Sequence, residues 1–164
     1  MHKLCFLLLS ELTAIVVIGQ SDTLTKTRFV IGLSAPELLH AGVNVDLGKS
    51  NQVGFSAGIG PSWGEVWPTL NIEHRLYFGK IIESTKRKRW FFRQGVTYFA
   101  AAEKQSAVSF SVGADLKSKA RNRGWTIDVG GLVLFRDEND RKNKLYPALR
   151  FQHYSYFKKN KSAR

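Results

Sequence analysis

Two side chains near the C-terminal end are spaced for nucleophilic chemistry. In Phe151-Gln152-His153-Tyr154-Ser155, His153 and Ser155 are two apart, so an extended strand turns both to one face. An imidazole next to a hydroxyl can take its proton and leave a reactive oxygen. Leu149, Phe151 and Phe157 would share that face. The same spacing also suits a plain strand that carries one His and one Ser at a polar boundary. A second set is electrostatic: Asp46, Glu73, Asp115 and Asp128 against Arg75, Arg93 and Arg150, all within segments that read as strands. A third is a basic one, Lys86-Arg87-Lys88-Arg89 with Lys117, Lys119, Arg121 and Arg123. No phosphate-cradling glycine loop, HExxH, GxSxG or paired-cysteine site is present, and the four histidines are isolated in sequence. No cofactor and no metal site are therefore expected.

The elements that must position these residues have a period of two. Leu39, Ala41, Val43, Val45 and Leu47 alternate with His40, Gly42, Asn44 and Asp46. Val53, Phe55, Ala57 and Ile59 alternate with Gln52, Gly54, Ser56 and Gly58. Comparable runs cover 69–78, 108–116 and 125–135; 90–101 and 146–157 alternate less cleanly, and 28–34 is a short opening strand. His74 is a polar intruder on an apolar face, and His40 belongs to the polar one. Turn residues fill 35–37, 48–51, 61–65, 79–89, 103–105, 117–123 and 136–144. Connections this short join antiparallel neighbours. Eight such strands predict an all-β fold, an up-and-down barrel or a sandwich.

The polar face narrows the choice. It is made of Gly, Ser, Thr, Asn and Gln, and the strands read this way contain no lysine. A solvated sheet would carry long Lys and Glu side chains; small residues with paired Asp, Glu and Arg suit the crowded interior of an eight-stranded barrel. That places the apolar face toward lipid. Segments of about ten residues match the 9–11 that cross a bilayer as tilted strands. Aromatics gather where strands meet turns: Trp63, Trp67, Phe99, Phe135 and Tyr146 at one end, Tyr77, Phe78, Trp90, Phe91, Trp125, Tyr156 and Phe157 at the other. Two interfacial girdles are the expectation.

The 164 residues carry 25 Lys and Arg against 13 Asp and Glu, a net charge of +12. Met1-His2-Lys3 and the apolar stretch to Gly19 read as a secretory signal peptide over 1–19, interrupted by Glu11 and cleaved before Gln20. The single cysteine, Cys5, would leave with it. A short segment, 20–27, precedes a barrel over 28–157, and a basic tail, 158–164, follows. With eight strands, both termini share an end with the second, fourth and sixth connections. That end gathers sixteen Lys and Arg, Arg28 among them, against Asp22 and Glu83, whereas the other end and the strands are close to neutral. The excess charge is thus a basic collar on one rim. Export argues against a nucleic-acid partner, despite the mixture of basic and aromatic residues in Lys86-Arg87-Lys88-Arg89-Trp90.

On strand number, alternation and the nearly terminal aromatic Phe157, the chain from Arg28 to Phe157 resembles small outer-membrane β-barrels, the OmpX-like proteins and the transmembrane domain of OmpA. In that family the chain ends on such an aromatic; here Lys158 to Arg164 follow it. The resemblance implies a monomeric, eight-stranded antiparallel transmembrane barrel in a Gram-negative outer membrane. Its partners would be outer-membrane lipids, and peptidoglycan or another envelope protein. It further implies a side-chain-filled lumen without an open pore, no enzymatic activity, and a structural, adhesive or envelope-support role. His153-Tyr154-Ser155 also resembles the His-x-Ser motif of outer-membrane lipid A deacylases, which implies His153 as base and Ser155 as nucleophile. Tyr156 stands where that motif has Asn, and the downstream orienting acid has no counterpart. A third alternative is a secreted soluble barrel with an apolar interior that binds a small apolar ligand.

Overall fold

A chain that alternates apolar and small polar residues can bury one face of each strand by packing two sheets together or by curling one sheet until that face turns inward. In the computed structural model the described residues are 26–35, 37–48, 50–62, 65–82, 87–100, 105–117, 122–135 and 144–157. Eight strands run in order: β1 (Thr27–Ser34), β2 (Leu39–Leu47), β3 (Asn51–Ser62), β4 (Glu65–Ile82), β5 (Arg87–Phe99), β6 (Gln105–Lys117), β7 (Arg123–Phe135) and β8 (Lys144–Tyr156). Each pairs antiparallel with the next, and β1 pairs with β8, so the sheet closes into a barrel. Closure gives every strand two partners and removes the open edges of the sheet. The proposed signal segment 1–19, residues 20–25 and the tail 158–164 lie outside the described residues, as do Trp63, Lys86, Lys119 and Arg121.

The structure shortens two connections. The turn read over 61–65 shrinks because β3 runs to Ser62 and β4 begins at Glu65. Residues 79–89 read as a turn, yet β4 continues to Ile82 and β5 begins at Arg87. Gly79 has a φ of 88°, and the pairing of β4 with β5 shifts register between Phe78 and Ile81. Glycine reaches this left-handed conformation without the steric cost of a side chain, and the resulting bulge lets the hairpin run on. Lys80 and Lys88 therefore lie within strands, as do Lys117 and Lys144 at strand ends, against the expectation of lysine-free strands.

The apolar face points outward. Val43, Phe110 and Val129 are exposed on the barrel wall, Val129 to 65%. Phe29, Ile31 and Leu33 of β1 are exposed between the buried Arg28, Val30 and Ser34. Phe78, Trp90, Trp125 and Phe157 are exposed toward the end that bears the termini, and Tyr98 and Tyr146 toward the opposite end. Tyr77, Phe91 and Phe99, expected in the girdles, instead turn inward and are buried. Phe91 shares strand parity with Arg93, and Phe99 with Thr97. In the unbroken aromatic run Trp90-Phe91-Phe92 the alternation of residue type that would have marked this is missing. Phe99, Ala107, Leu132 and Ala148 make a small apolar plug inside one end, with Ala35 and Leu134 packed on it. Tyr77 and Phe91, ring centroids 5.5 Å apart, fill the lumen toward the other.

The interior is tight enough to require glycine at specific places. A Cβ on Gly113 would stand 2.5 Å from both Asp128 Cβ and Phe91 Cζ. Gly113→Ala is therefore expected to lower stability by about 1–3 kcal/mol, the usual cost of overfilling a packed interior. Gly131→Ala would press closely only on the tip of the exposed Leu145, at 3.1 Å, with the Tyr146 carbonyl at an ordinary 3.7 Å, and should cost little. Urea-unfolding midpoints of the two variants in detergent check the difference.

Candidate functional site

The polar faces of the strands converge on one buried network. Gly54 leaves space beside Asn44 and Glu73, because a Cβ there would lie 2.7 Å from Glu73 Cγ. Glu73 and Arg75, two apart on β4, point the same way, and Arg75 Nη2 lies 2.7 Å from Glu73 Oε1. From across the lumen, Arg150 of β8 donates to Glu73 Oε2, and Arg93 Nη1 of β5 approaches the same oxygen at 3.7 Å. Arg93 Nε also reaches Asp128 Oδ1 at 3.2 Å, and Ser111 donates to that oxygen at 2.6 Å. Gln152 Oε1 accepts from Arg75 Nη2 at 2.6 Å. Three guanidinium groups and two carboxylates thus meet in mid-lumen, all nearly inaccessible to solvent.

A second layer lies toward the termini. Arg28, assigned from sequence to the basic collar, is fully buried. Its Nη2 is 3.3 Å from Asp46 Oδ1 and donates to the Tyr77 hydroxyl at 3.0 Å, while Nη1 is 3.4 Å from Asp115 Oδ2. The Tyr154 hydroxyl donates to Asp115 Oδ1 at 2.6 Å. The Arg28 guanidinium also lies over the Tyr154 and Tyr156 rings, 4.7 and 5.3 Å from their centroids. The sequence places Arg28 at the start of the first strand, where it counts among the basic residues of the terminal rim. Its parity was the available signal, since it alternates with Phe29, Ile31 and Leu33. With Arg28 included, Asp46, Glu73, Asp115 and Asp128 face four arginines rather than three.

Glu37 was also missed. It sits in the connection between β1 and β2 yet is only 2% exposed. Ser34 donates to Glu37 Oε2 at 2.8 Å, and His40 Nδ1 lies 3.1 Å from the same Ser34 hydroxyl. On the other side of the ring, His40 Nε2 is 3.1 Å from Gln152 Nε2, which ties this mouth cluster to the central layer. His40 does occupy the polar interior.

His153 and Ser155 face outward on β8. The ring of His153 meets Trp125 edge-on, 4.7 Å between centroids, and Trp125 stacks on Phe151 at 4.7 Å with an 18° tilt. Residues two apart on a strand have Cα atoms about 6.6–6.8 Å apart. Among the described residues no hydrogen bond joins His153 to Ser155, and none joins His153 to a carboxylate. The geometry brings the two onto one face, and among the described residues no acid stands beside His153 to orient it. The other outward histidine differs: His74 Nε2 lies 3.2 Å from Asn51 Oδ1, and Gln94 Nε2 is 3.4 Å from its Nδ1.

Of the basic residues, Arg89 and Arg123 are exposed at the end bearing the termini, while Lys88 donates to Ser50 Oγ at 3.1 Å. Lys86, Lys119 and Arg121 lie outside the described residues, as do the side chains of Arg87 and Lys117. No group of His, Cys, Asp and Glu able to hold a metal ion is found among the described residues. Compared with family models, with curated proteins and with solved structures, the chain gives no match in any of the three.

Removing one partner from a buried charge cluster leaves the others uncompensated. Glu73→Gln is expected to cost about 3–5 kcal/mol, because Arg75, Arg93 and Arg150 all lean on that carboxylate. Glu73→Gln combined with Arg150→Gln should recover part of the loss. A double-mutant cycle of unfolding free energies measures the coupling.

Proposed function

We propose that the chain is an outer-membrane β-barrel that crosses the bilayer with its eight strands and serves a structural, adhesive or envelope-support role as a monomer. The observation that carries this reading is the distribution of polarity: an exposed belt of Val, Leu, Ile and Phe surrounds an interior of paired charges. In water that arrangement is inverted, and an exposed apolar surface of this extent would drive association. In a bilayer it is the required one, since the wall meets acyl chains and each backbone group of the closed sheet finds its partner within the protein. A soluble carrier of a small apolar ligand needs an apolar interior, and the interior here is polar. Strands of 12 or 13 residues, as in β3 and β5 to β8, exceed the 9–11 that span a bilayer when tilted.

The proposed role includes no open pore. What supports this is the bulk of the inward side chains: the Phe99 cluster toward one end, the ion pairs in the middle, and Arg28 with its tyrosines toward the other. The reading includes export by the 1–19 signal and a basic rim set against anionic headgroups or peptidoglycan.

One substitution separates membrane from water. Val129 is exposed near the middle of β7, so Val129→Arg should cost about 2–4 kcal/mol in a lipid-facing wall. On a solvated surface the same change should be nearly neutral. Folding free energy in phosphatidylcholine vesicles, with heat-modifiable gel mobility as the readout of the folded form, makes the measurement. Recovery of the folded protein from a periplasmic extract without detergent would overturn the proposal.

A further inference from the structure

The outward face of β8 carries a polar strip in a mainly apolar wall, distinct from the His74, Asn51 and Gln94 group on β4, β3 and β5, and the strand register makes it a grid. Nearest the termini, Phe29, Ser155 and Arg123 lie side by side on β1, β8 and β7. The next outward row is Ile31, His153 and Trp125, and the third is Leu33, Phe151 and Ile127. Polarity therefore falls row by row away from the rim: a guanidinium and a hydroxyl, then an imidazole beside an indole, then hydrocarbon and a phenyl ring. Rows two residues apart are about 6.6–6.8 Å apart along the strand, so the polar part spans about the depth of one headgroup layer.

The polar groups of this strip have no side-chain partner among the described residues and are open to the outside. Arg123, the ring nitrogens of His153 and the Ser155 hydroxyl make no hydrogen bond or ion pair among the described residues, whereas His74 has polar contacts at both of its ring nitrogens. Beneath them Trp125 and Phe151 are stacked into a flat aromatic slab, 41% and 43% exposed. A cation and two hydrogen-bonding groups above an apolar slab complement one kind of molecule, an amphiphile with an anionic head. We infer that Arg123, His153 and Ser155 form a headgroup site for a single anionic glycerophospholipid. Its phosphodiester is held by Arg123 with the Ser155 hydroxyl and the His153 ring, and its glycerol and first acyl carbons lie along Trp125 and Phe151. Arg binds phosphate oxygens through paired N–H donors, a geometry that a diffuse basic collar does not impose.

This site rests on the membrane reading above, and the experiment separates the two. The folded chain is first inserted into phosphatidylcholine vesicles and scored by heat-modifiable mobility; failure to insert overturns the membrane reading and the site with it. Inserted protein is then extracted into neutral detergent and titrated with phosphatidylglycerol, phosphatidylcholine or glycerol 3-phosphate, with bound ligand counted by native mass spectrometry. The expected result is one phosphatidylglycerol retained in preference to phosphatidylcholine. Arg123→Gln should weaken it about fivefold or more, from the attraction of one arginine to an anionic surface. Ser155→Ala and His153→Leu should weaken it in the same direction. Lys80→Gln, an exposed cation at the same end, should leave it unchanged. Equal losses in Arg123→Gln and Lys80→Gln would reduce the effect to general charge attraction and overturn the site. Equal affinity for phosphatidylcholine overturns it as well. Glycerol 3-phosphate binding as tightly as the lipid would make this a free-phosphate site and overturn the lipid assignment.

Discussion

Glu73 is the group on which the interior depends. A carboxylate this deep is tolerable only if its charge is answered at once, and three arginines from three different strands do so. The arginines depend on it in turn, because three guanidinium groups packed together would repel one another without an acid between them. Arg75 comes from the same strand, Arg93 from the next, and Arg150 from a strand far along the chain, so the contacts of one side chain couple local hairpin geometry to the global register. A one-residue slip in any of these strands would send an arginine to the outer wall. The network thus selects one register as well as one fold.

Around it the lumen is layered by chemistry. At one mouth the connection between β1 and β2 folds Glu37 back onto Ser34, whose hydroxyl also meets His40, and Ala35 packs on a small cluster of Phe99, Ala107, Leu132 and Ala148. At the other, Arg28 is shared by two aspartates and a group of tyrosines. The layers are linked by glutamines. Gln152 bridges His40 to Arg75, and Gln52 donates to Asp46 at 2.6 Å while its carbonyl accepts from Asn44. Amides suit this position because each offers a donor and an acceptor to neighbours of opposite character.

Much of this was legible in the sequence where residue type and parity agreed. The strand count, the polar interior and the seven ionisable residues assigned to it all followed from alternation, as in His40, Asn44 and Asp46 against Val43 and Val45. What could not be read was the behaviour of residues whose type and parity disagree. Phe91 and Phe99 are apolar yet face inward, because the ends of the lumen need bulky filler and only their place in the strand records it. Arg28 and Glu37 look like rim residues by type and become interior ones by geometry. The extension of β4 past Gly79 was hidden because a glycine beside a lysine marks a turn and a bulge equally well. For His153 and Ser155 the spacing fixed the shared face, but whether a carboxylate would come near depended on the register of β7 and β1, which no local pattern encodes.

Seven of the eight strand pairings join neighbours in sequence, and the eighth joins β1 to β8 across nearly the whole described chain. β1 is also the shortest strand, with 8 residues. Each hairpin closes over a short connection, whereas the seam needs both ends of the barrel in place. Without the seam, β1 and β8 would present unpaired edges, Arg150 would have no strand beside it on one flank, and the lumen would be a trough rather than a tube. The barrel is therefore a zipper with a clasp: seven pairings are local, and the object is a container only through the eighth, which the shortest stave completes.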